Sequence, residues 1–262
     1  MPFATAADGT RLAYQVIGEG PPLLLVSGQA GDHSIWNGVR EVFASRYRVV
    51  TFDHRGTGDS DKPEAPPYST RGFADDAIAV LDALGIARAH AYGVSMGGRV
   101  CQWLGVAHPG RVGALVLGCT TPGNARGVRR PPHVDPVLLS GDQERLLPFL
   151  VSLEWARANA AFLEARNARA LANPVPPYAR LLHFQASEGH DLWDRLPEIA
   201  APTLVIHGSA DEVNVPANAP LLIGRIAGAE LHILDGARHI YFWDHGDEAH
   251  RVVGEFLARH PL

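Results

Sequence analysis

A serine with glycine two residues away on either side stands at Gly93-Val94-Ser95-Met96-Gly97, between an apolar run and an amphipathic stretch. That G-x-S-x-G spacing suits a nucleophile held on a sharp strand-to-helix turn. Side chains two positions from the serine would collide there, so both places demand glycine, and Gly98 lets the helix approach the strand. The turn lifts the Ser95 hydroxyl clear of the sheet. It also sets the Met96 N–H at a helix N-terminus, where orphan donors and the helix dipole favour negative charge. A serine needs a base to act at neutral pH. In this motif the partners follow in the order Ser, Asp or Glu, His. Asp211 lies in Gly208-Ser209-Ala210-Asp211-Glu212-Val213, just past the apolar run Thr203 to His207; His239 closes Asp235-Gly236-Ala237-Arg238-His239, past the last apolar run. Both fall on loops at the carboxyl ends of strands, the working edge of an open α/β sheet. The chemistry would be attack on a carbonyl carbon, with His239 taking the serine proton and Asp211 orienting His239.

The oxyanion of such a reaction needs two donors. Met96 N–H is one candidate. Gln29 N–H is the other, from Ser27-Gly28-Gln29-Ala30-Gly31, where Gly28 permits the turn. Taken singly, these pieces have plainer readings: a glycine-rich turn with an incidental serine, a loop serving only chain reversal, a surface histidine. Position, chain order and partner agree for Ser95, Asp211 and His239. His90 and His232 lie inside strands, and His245, His250 and His260 lie beyond the last loop. Asp53, Arg55, Gly56 and Gly58 read as a loop bracing the site. They lack a Gly-Lys-Ser/Thr ending or a G-x-G-x-x-G, so a nucleotide site is a weak reading. Neither H-x-x-x-H nor C-x-x-C occurs, so no metal is expected, and the serine chemistry implies no cofactor.

Positioning these loops requires a particular scaffold. Short apolar runs at Pro22–Val26, Arg48–Phe52, Ala89–Val94, Val112–Leu117, Thr203–His207 and Leu231–Leu234 alternate with amphipathic stretches. That alternation predicts a mostly parallel sheet with helices on both faces. Phe3–Ala6 and Arg11–Ile17 flank Asp8-Gly9 and read as a hairpin. Helices are expected over Arg71–Leu84, Met96–His108 and about Asp247–Arg259. Residues 122 to 195 break the alternation, with Pro122, Pro131, Pro132 and Pro136 before helical patterns at Asp142–Ala172 and Pro177–Glu188. The reading is one domain, 1–121 and 196–262, with a helical insertion at 122–195.

The chain has 262 residues, a net charge of -5, 46% hydrophobic and 19% charged residues. This excludes a disulfide-stapled miniprotein and argues against disorder. The acidic balance gives no support to nucleic-acid binding. Two cysteines, Cys101 and Cys119, make no disulfide framework. No secretory leader or membrane span is visible, so a cytoplasmic protein without membrane attachment is expected.

Four blocks carry a family resemblance: Ser27–Trp36 (SGQAGDHSIW), Phe52–Pro63 (FDHRGTGDSDKP), Gly93–Gly98 (GVSMGG), and the Asp211 and His239 loops. The chain resembles the α/β-hydrolase superfamily over nearly its whole length outside the insertion. Gly93–Gly105, Leu115–Thr121 and His239–Trp243 are most similar to 3-oxoadipate enol-lactonases and their esterase relatives. The resemblance implies an α/β-hydrolase fold with a mostly parallel eight-stranded sheet. It also implies a Ser95–Asp211–His239 triad, an oxyanion hole from Gln29 and Met96, and a cap at 122–195 over the pocket. The chain departs from the family where Ser27-Gly28 replaces the usual His-Gly and where polar Gln29 replaces a bulky apolar residue.

The expected activity is hydrolysis of small-molecule carboxylic esters or lactones through an acyl-enzyme. C–C bond hydrolysis, perhydrolysis or cofactor-free lyase chemistry on the same triad is the alternative, and a non-enzymatic small-molecule receptor is the second. The partner is a small-molecule substrate, with homodimerisation open. The insertion carries Phe149, Trp155, Phe162, Tyr178, Phe184 and Trp193, most of which would hold it to the core. Trp36, Trp155 and Tyr241 are candidates for substrate contact. Arg126, Arg129 and Arg130 are candidates for capturing an anionic substrate, against the plainer reading of a solvated basic patch.

Overall fold

The computed structural model describes residues 1–65 and 68–262. Eight strands form one sheet: β1 (Phe3–Thr5), β2 (Arg11–Ile17), β3 (Pro22–Val26), β4 (Arg48–Phe52), β5 (Ala89–Val94), β6 (Val112–Gly118), β7 (Thr203–Gly208) and β8 (Glu230–Leu234). Their spatial order is β1-β2-β4-β3-β5-β6-β7-β8. β1 pairs antiparallel with β2, and β2 with β4. The remaining pairings are parallel. The expected hairpin and six parallel strands are present, and the fold is the α/β-hydrolase fold.

Alternation along the strands explains the two-faced covering. Leu24 and Val26 of β3 join one core, and Leu23 and Leu25 join the other. The first core takes α2 (Thr70–Ala83), through Phe73, Ala77 and Val80, and α3 (Met96–Ala107), through Val100 and Leu104. It also takes α9 (Ala219–Ile223) through Leu222. The second takes α1 (Val39–Phe43), α10 (Tyr241–Asp244) and α11 (Gly246–Ala258), the last through Val253, Phe256 and Leu257. Central strands are therefore apolar on both faces, as a sheet covered twice requires. β8 is an edge strand and keeps Glu230, Leu231 and Ile233 exposed.

Between β6 and β7 the chain runs through α4 (Val134–Ser140), α5 (Gln143–Leu150), α6 (Leu153–Ala158), α7 (Ala160–Ala172) and α8 (Pro177–Glu188). Two details differ from the sequence expectation. The continuous pattern at 142–172 is three helices. Val151 is extended, and Ser152 caps α6 by accepting from the Trp155 N–H at 3.2 Å, while its own N–H donates to Asp244 at 2.9 Å. Hydrophobic period alone does not register such a cap. The proline-punctuated stretch also holds a helix, α4, because Pro136 falls in its first turn, where a missing N–H costs little.

α3 lies close against the sheet at its glycines. A Cβ on Gly97 would come 2.2 Å from the Val26 carbonyl oxygen, and one on Gly93 would come 2.1 Å from the Gly97 carbonyl oxygen. Both obstacles are backbone, so neither can swing aside. Gly97→Ala is therefore expected to destabilise by about 3 kcal/mol or more. Gly254→Ala, a helical site with open space, should be neutral or stabilising by about 0.5–1 kcal/mol. Urea unfolding of the two variants beside wild type measures both. Equal stabilities would contradict the packing described.

Candidate active site

The turn between β5 and α3 forces Ser95 to φ 59, ψ -121, a conformation that non-glycine residues rarely adopt. Such a residue costs about 1–3 kcal/mol and persists only where its surroundings hold it. Here the Ser95 N–H donates to the Gly118 carbonyl at 2.8 Å. Its carbonyl accepts from the Gly98 N–H at 3.0 Å and the Thr120 hydroxyl at 2.8 Å. Ser95 is half-buried and faces a cavity of about 120 Å³ that His239 and Gln29 also line.

Asp211 and His239 are buried at the ends of β7 and β8. His239 Nδ1 lies 2.8 Å from Asp211 Oδ2. A carboxylate can only accept, so Nδ1 carries the proton and Nε2 keeps its lone pair free. The other carboxylate oxygen accepts from the Val213 and Asn214 N–H groups at 2.7 and 3.1 Å. A second histidine, His207 on β7, brings its Nε2 to 3.4 Å from Asp211 Oδ2 while donating to the Asn214 carbonyl at 2.6 Å. Burial favours the protonated acid, but the His239 and His207 rings outweigh it and hold Asp211 well below the usual carboxylate range. The His239 loop is tied to the insertion: the His239 and Ile240 N–H groups donate to the Phe149 and Leu150 carbonyls at 3.3 and 2.8 Å.

Among the described residues the hydrogen bond to Ser95 Oγ comes from Asn214 Nδ2, at 3.4 Å, and none joins Oγ to His239. Bonds of this kind often tighten only around a substrate. Asn214 Nδ2 also donates to the Cys119 carbonyl at 2.7 Å, and its Oδ1 accepts from the buried Arg99 at 3.2 Å. Nothing in the sequence reading picked out Asn214. Its place three residues after Asp211, on the same loop, was the available signal.

The Gln29 and Met96 N–H groups have no hydrogen-bond partner among the described residues. Two buried histidines brace the loop that carries Gln29. His54 Nε2 donates to the Ser27 carbonyl at 3.1 Å. His183, from α8, accepts the Ala30 N–H at 3.2 Å and donates through Nε2 to the Arg55 carbonyl at 2.8 Å. Ser27, where the family usually has histidine, donates its hydroxyl to the Gly31 carbonyl at 3.0 Å and closes the same loop. Arg55 in turn is fixed by paired contacts to Asp76 at 2.8 and 2.6 Å and by Asp8 at 2.6 Å.

The structure separates the expected substrate contacts. Trp36 is fully buried, tilted against Tyr92 at 5.0 Å and stacked on Phe242 at 4.7 Å. Tyr241 is fully buried and shares a 2.8 Å hydrogen bond with Tyr92. Both are core residues, because the large rings fill the space under the sheet edge. Trp155 stacks on Trp243 in an outer depression with Phe162 and does not line the serine's cavity. Arg126 and Arg129 are exposed and line none of the described cavities. Arg130 does line the inner cavity, paired with Asp135 and Glu188. Arg166 and Arg180, not singled out in the sequence, line it as well.

Two donor sets come together closely enough to hold a cation: Cys119, Asp211 and His239, and Asp32, His33 and Asp53. In the first, Asp211 and His239 already bind one another, and burial pushes the Cys119 thiol well above its usual range. In the second, the His33 N–H and Nδ1 both meet Asp53 at 2.7 Å, and Asp32 pairs with Arg169 at 3.2 Å. These contacts occupy the donors.

The sequence profile of the alpha/beta hydrolase fold family matches residues 21–246, and the chain belongs to that family. RutD of Azorhizobium caulinodans, whose name carries a provisional carbamate hydrolase activity, is 32% identical over 92% of this chain and 92% of its own. The 3-oxoadipate enol-lactonase 1 of Acinetobacter baylyi is 30% identical over 89% of this chain and 88% of its own. The solved enol-lactonase from Burkholderia xenovorans LB400 superposes with a TM-score of 0.86 at 27% identity, over 98% of this chain and 100% of that one. The resemblance to lactonase-like relatives therefore holds. Among the described residues no helix is long and apolar enough to cross a membrane.

The bracing histidines make stability pH-dependent. Burial pushes His54 down to about 4 and His183 to about 3 from an ordinary 6.5. Below pH 6.5 the unfolded chain takes up these protons and the native one does not, so stability is full above pH 6.5 and falls as pH drops toward 4. Each histidine contributes a slope of at most about 1.4 kcal/mol per pH unit. Urea midpoints are expected to fall between pH 7 and pH 5, with a shallower fall in His54→Gln. Midpoints independent of pH would contradict the neutral, buried state of these rings.

Proposed function

We propose that the protein hydrolyses small-molecule carboxylic esters or lactones with Ser95 as nucleophile, His239 as base and Asp211 as its orienting acid. The observation that carries this reading is the pairing of His239 with Asp211 at 2.8 Å in a loop that shares one cavity with the strained Ser95. His239 Nε2 takes the hydroxyl proton as Ser95 Oγ bonds to the substrate carbonyl carbon. The carbonyl electron pair moves to oxygen, and the oxyanion rests on the Gln29 and Met96 N–H groups, which have no partner among the described residues. As the intermediate collapses, the bond to the leaving oxygen breaks and that oxygen takes the proton from His239. Water then adds to the acyl-enzyme, giving a proton to His239; the acyl–Oγ bond breaks, Ser95 Oγ takes that proton back, and the acid departs. In a lactone the leaving hydroxyl stays tethered to the acyl group. Apart from water and substrate, these steps draw on this chain's residues alone.

Residues 122–195 act as the cap, since Arg130, Leu138, Leu146 and Leu150 close the cavity over the serine. The likeness to enol-lactonases favours cleavage of an acyl–oxygen bond. The likeness to RutD makes a carbamate the other acyl group to assay.

In folded Ser95→Ala, kcat/KM for 4-nitrophenyl butyrate is expected to fall by about 10⁴-fold or more, and Asp211→Asn should cost about as much. Asp235, exposed and bonded to Ser209, and Asp244, bonded to Ser152 and His245, lie outside the proposed relay. Asp235→Asn and Asp244→Asn should each cost under about 10-fold, a loss of less than 1.4 kcal/mol in transition-state stabilisation. Unchanged turnover in folded Ser95→Ala would contradict the nucleophile assignment.

A further inference from the structure

The inner cavity is lined by three arginines and, among the described residues, by no aspartate or glutamate. Arg130 is neutralised by Asp135 and Glu188. The other two are held by neutral partners. Arg166, on α7, donates from Nη1 to Gln143 Oε1 at 2.8 Å and lies over the Trp243 ring at 5.5 Å. Arg180, on α8, donates from Nη2 to the Val175 carbonyl at 3.3 Å. Neither forms a salt bridge among the described residues. Burial pushes both guanidiniums below the ordinary arginine range, and the Asp32 charge opposes that push at Arg166. Arg55, elsewhere in the chain, has two carboxylates in the same circumstance. A sheltered cation that no carboxylate touches is costly unless a partner arrives.

The same two arginines also line a larger outer vestibule of about 490 Å³, which shares Ala30, Gly31 and Gln143 with the inner cavity. They therefore stand where the two spaces meet. Asp32 and Asp142 in the vestibule are committed, to Arg169 and to capping α5, and Glu144 stands at the exposed rim. Gly141 makes the room. It ends α4 at φ 71, and a Cβ there would lie 2.0 Å from Arg180 Nη1.

We propose that Arg166 and Arg180 form a carboxylate-binding subsite at this junction, so that the substrate carries a carboxylate on the side remote from its scissile carbonyl. The proposal rests on Ser95 as nucleophile. The inner cavity, at about 120 Å³, takes the reacting acyl or lactone carbonyl, and the charged end reaches back toward the vestibule. Two guanidinium forks suit a carboxylate because each can donate two parallel N–H bonds. The charge-capturing role expected among Arg126, Arg129 and Arg130 thus falls to residues further along the insertion.

The test compares 4-nitrophenyl monoesters of the straight-chain diacids, succinate to suberate, with neutral 4-nitrophenyl alkanoates of matched length. The readout is the ratio of kcat/KM for acid over neutral ester. Wild type should prefer the acid at one chain length or two adjacent ones. Arg166→Gln and Arg180→Gln should each lower that ratio about 10- to 150-fold, the range for a sheltered charge-assisted hydrogen bond. Arg→Lys should retain part of the preference. Gly141→Ala, which displaces the Arg180 guanidinium and leaves its charge, should lower the ratio too and decides the matter if Arg166→Gln does not fold. Independently of turnover, the best-fitting free diacid should raise the Tm of wild type, its neutral diamide should not, and the double Gln variant should lose the shift. A ratio unmoved by these variants, or a diacid shift that persists in the double variant, overturns the subsite. If Ser95→Ala abolishes neutral-ester turnover while the ratio is unmoved, only the subsite fails. If Ser95→Ala stays active, the nucleophile reading itself fails.

Discussion

Ser95 keeps its strained backbone only because the groups around it leave no alternative. Its N–H is bound to β6, its carbonyl is held by Gly98 and Thr120, and α3 sits against β3 at a distance only Gly97 permits. Much else follows from this turn. It raises the hydroxyl above the sheet edge and opens α3 with a Met96 N–H that has no partner among the described residues. In the proposed mechanism it also fixes where a base must stand, beyond the ends of β7 and β8. The sheet supplies rigidity for that purpose: apolar on both faces, its central strands cannot slide without exposing one of two cores.

Around the turn, polar groups are satisfied in layers. Asp211 is held by two backbone N–H groups and two histidine rings, so the carboxylate stays ionised despite full burial. His54 and His183 stay neutral because their work is to accept or donate single hydrogen bonds to the loop beside the serine. A charged ring there would be buried without a partner. The same protein thus uses histidine in two electrostatic states' service, beside an acid at the site and in apolar shelter beneath it. His183 and the Phe149 and Leu150 carbonyls also make the insertion part of the site's frame, since both serine-side loops lean on it.

The sheet was legible because its strands are short apolar runs bounded by glycine, proline and polar loops. Ser95, Asp211 and His239 were legible because each directly follows such a run. What the sequence hid lies in the insertion. α6 begins at a serine cap that hydrophobic period does not register, and α4 sits among prolines that read as breakers. Side-chain destinations were hidden for the same reason. Trp36 and Tyr241 sit next to motif residues, yet fill the core, while Arg166 and Arg180 reach the cavity only through the packing of α7 and α8. Composition cannot tell an arginine with two carboxylates, such as Arg130, from one with none.

The central claim is that the hydroxyl on this turn becomes a nucleophile through His239. Its most direct measurement is intact-protein and peptide mass spectrometry after reaction with a fluorophosphonate. A single adduct is expected on the peptide containing Ser95, forming far more slowly in folded His239→Gln. No adduct, an adduct on another residue, or unchanged labelling of Ser95 in His239→Gln would contradict it.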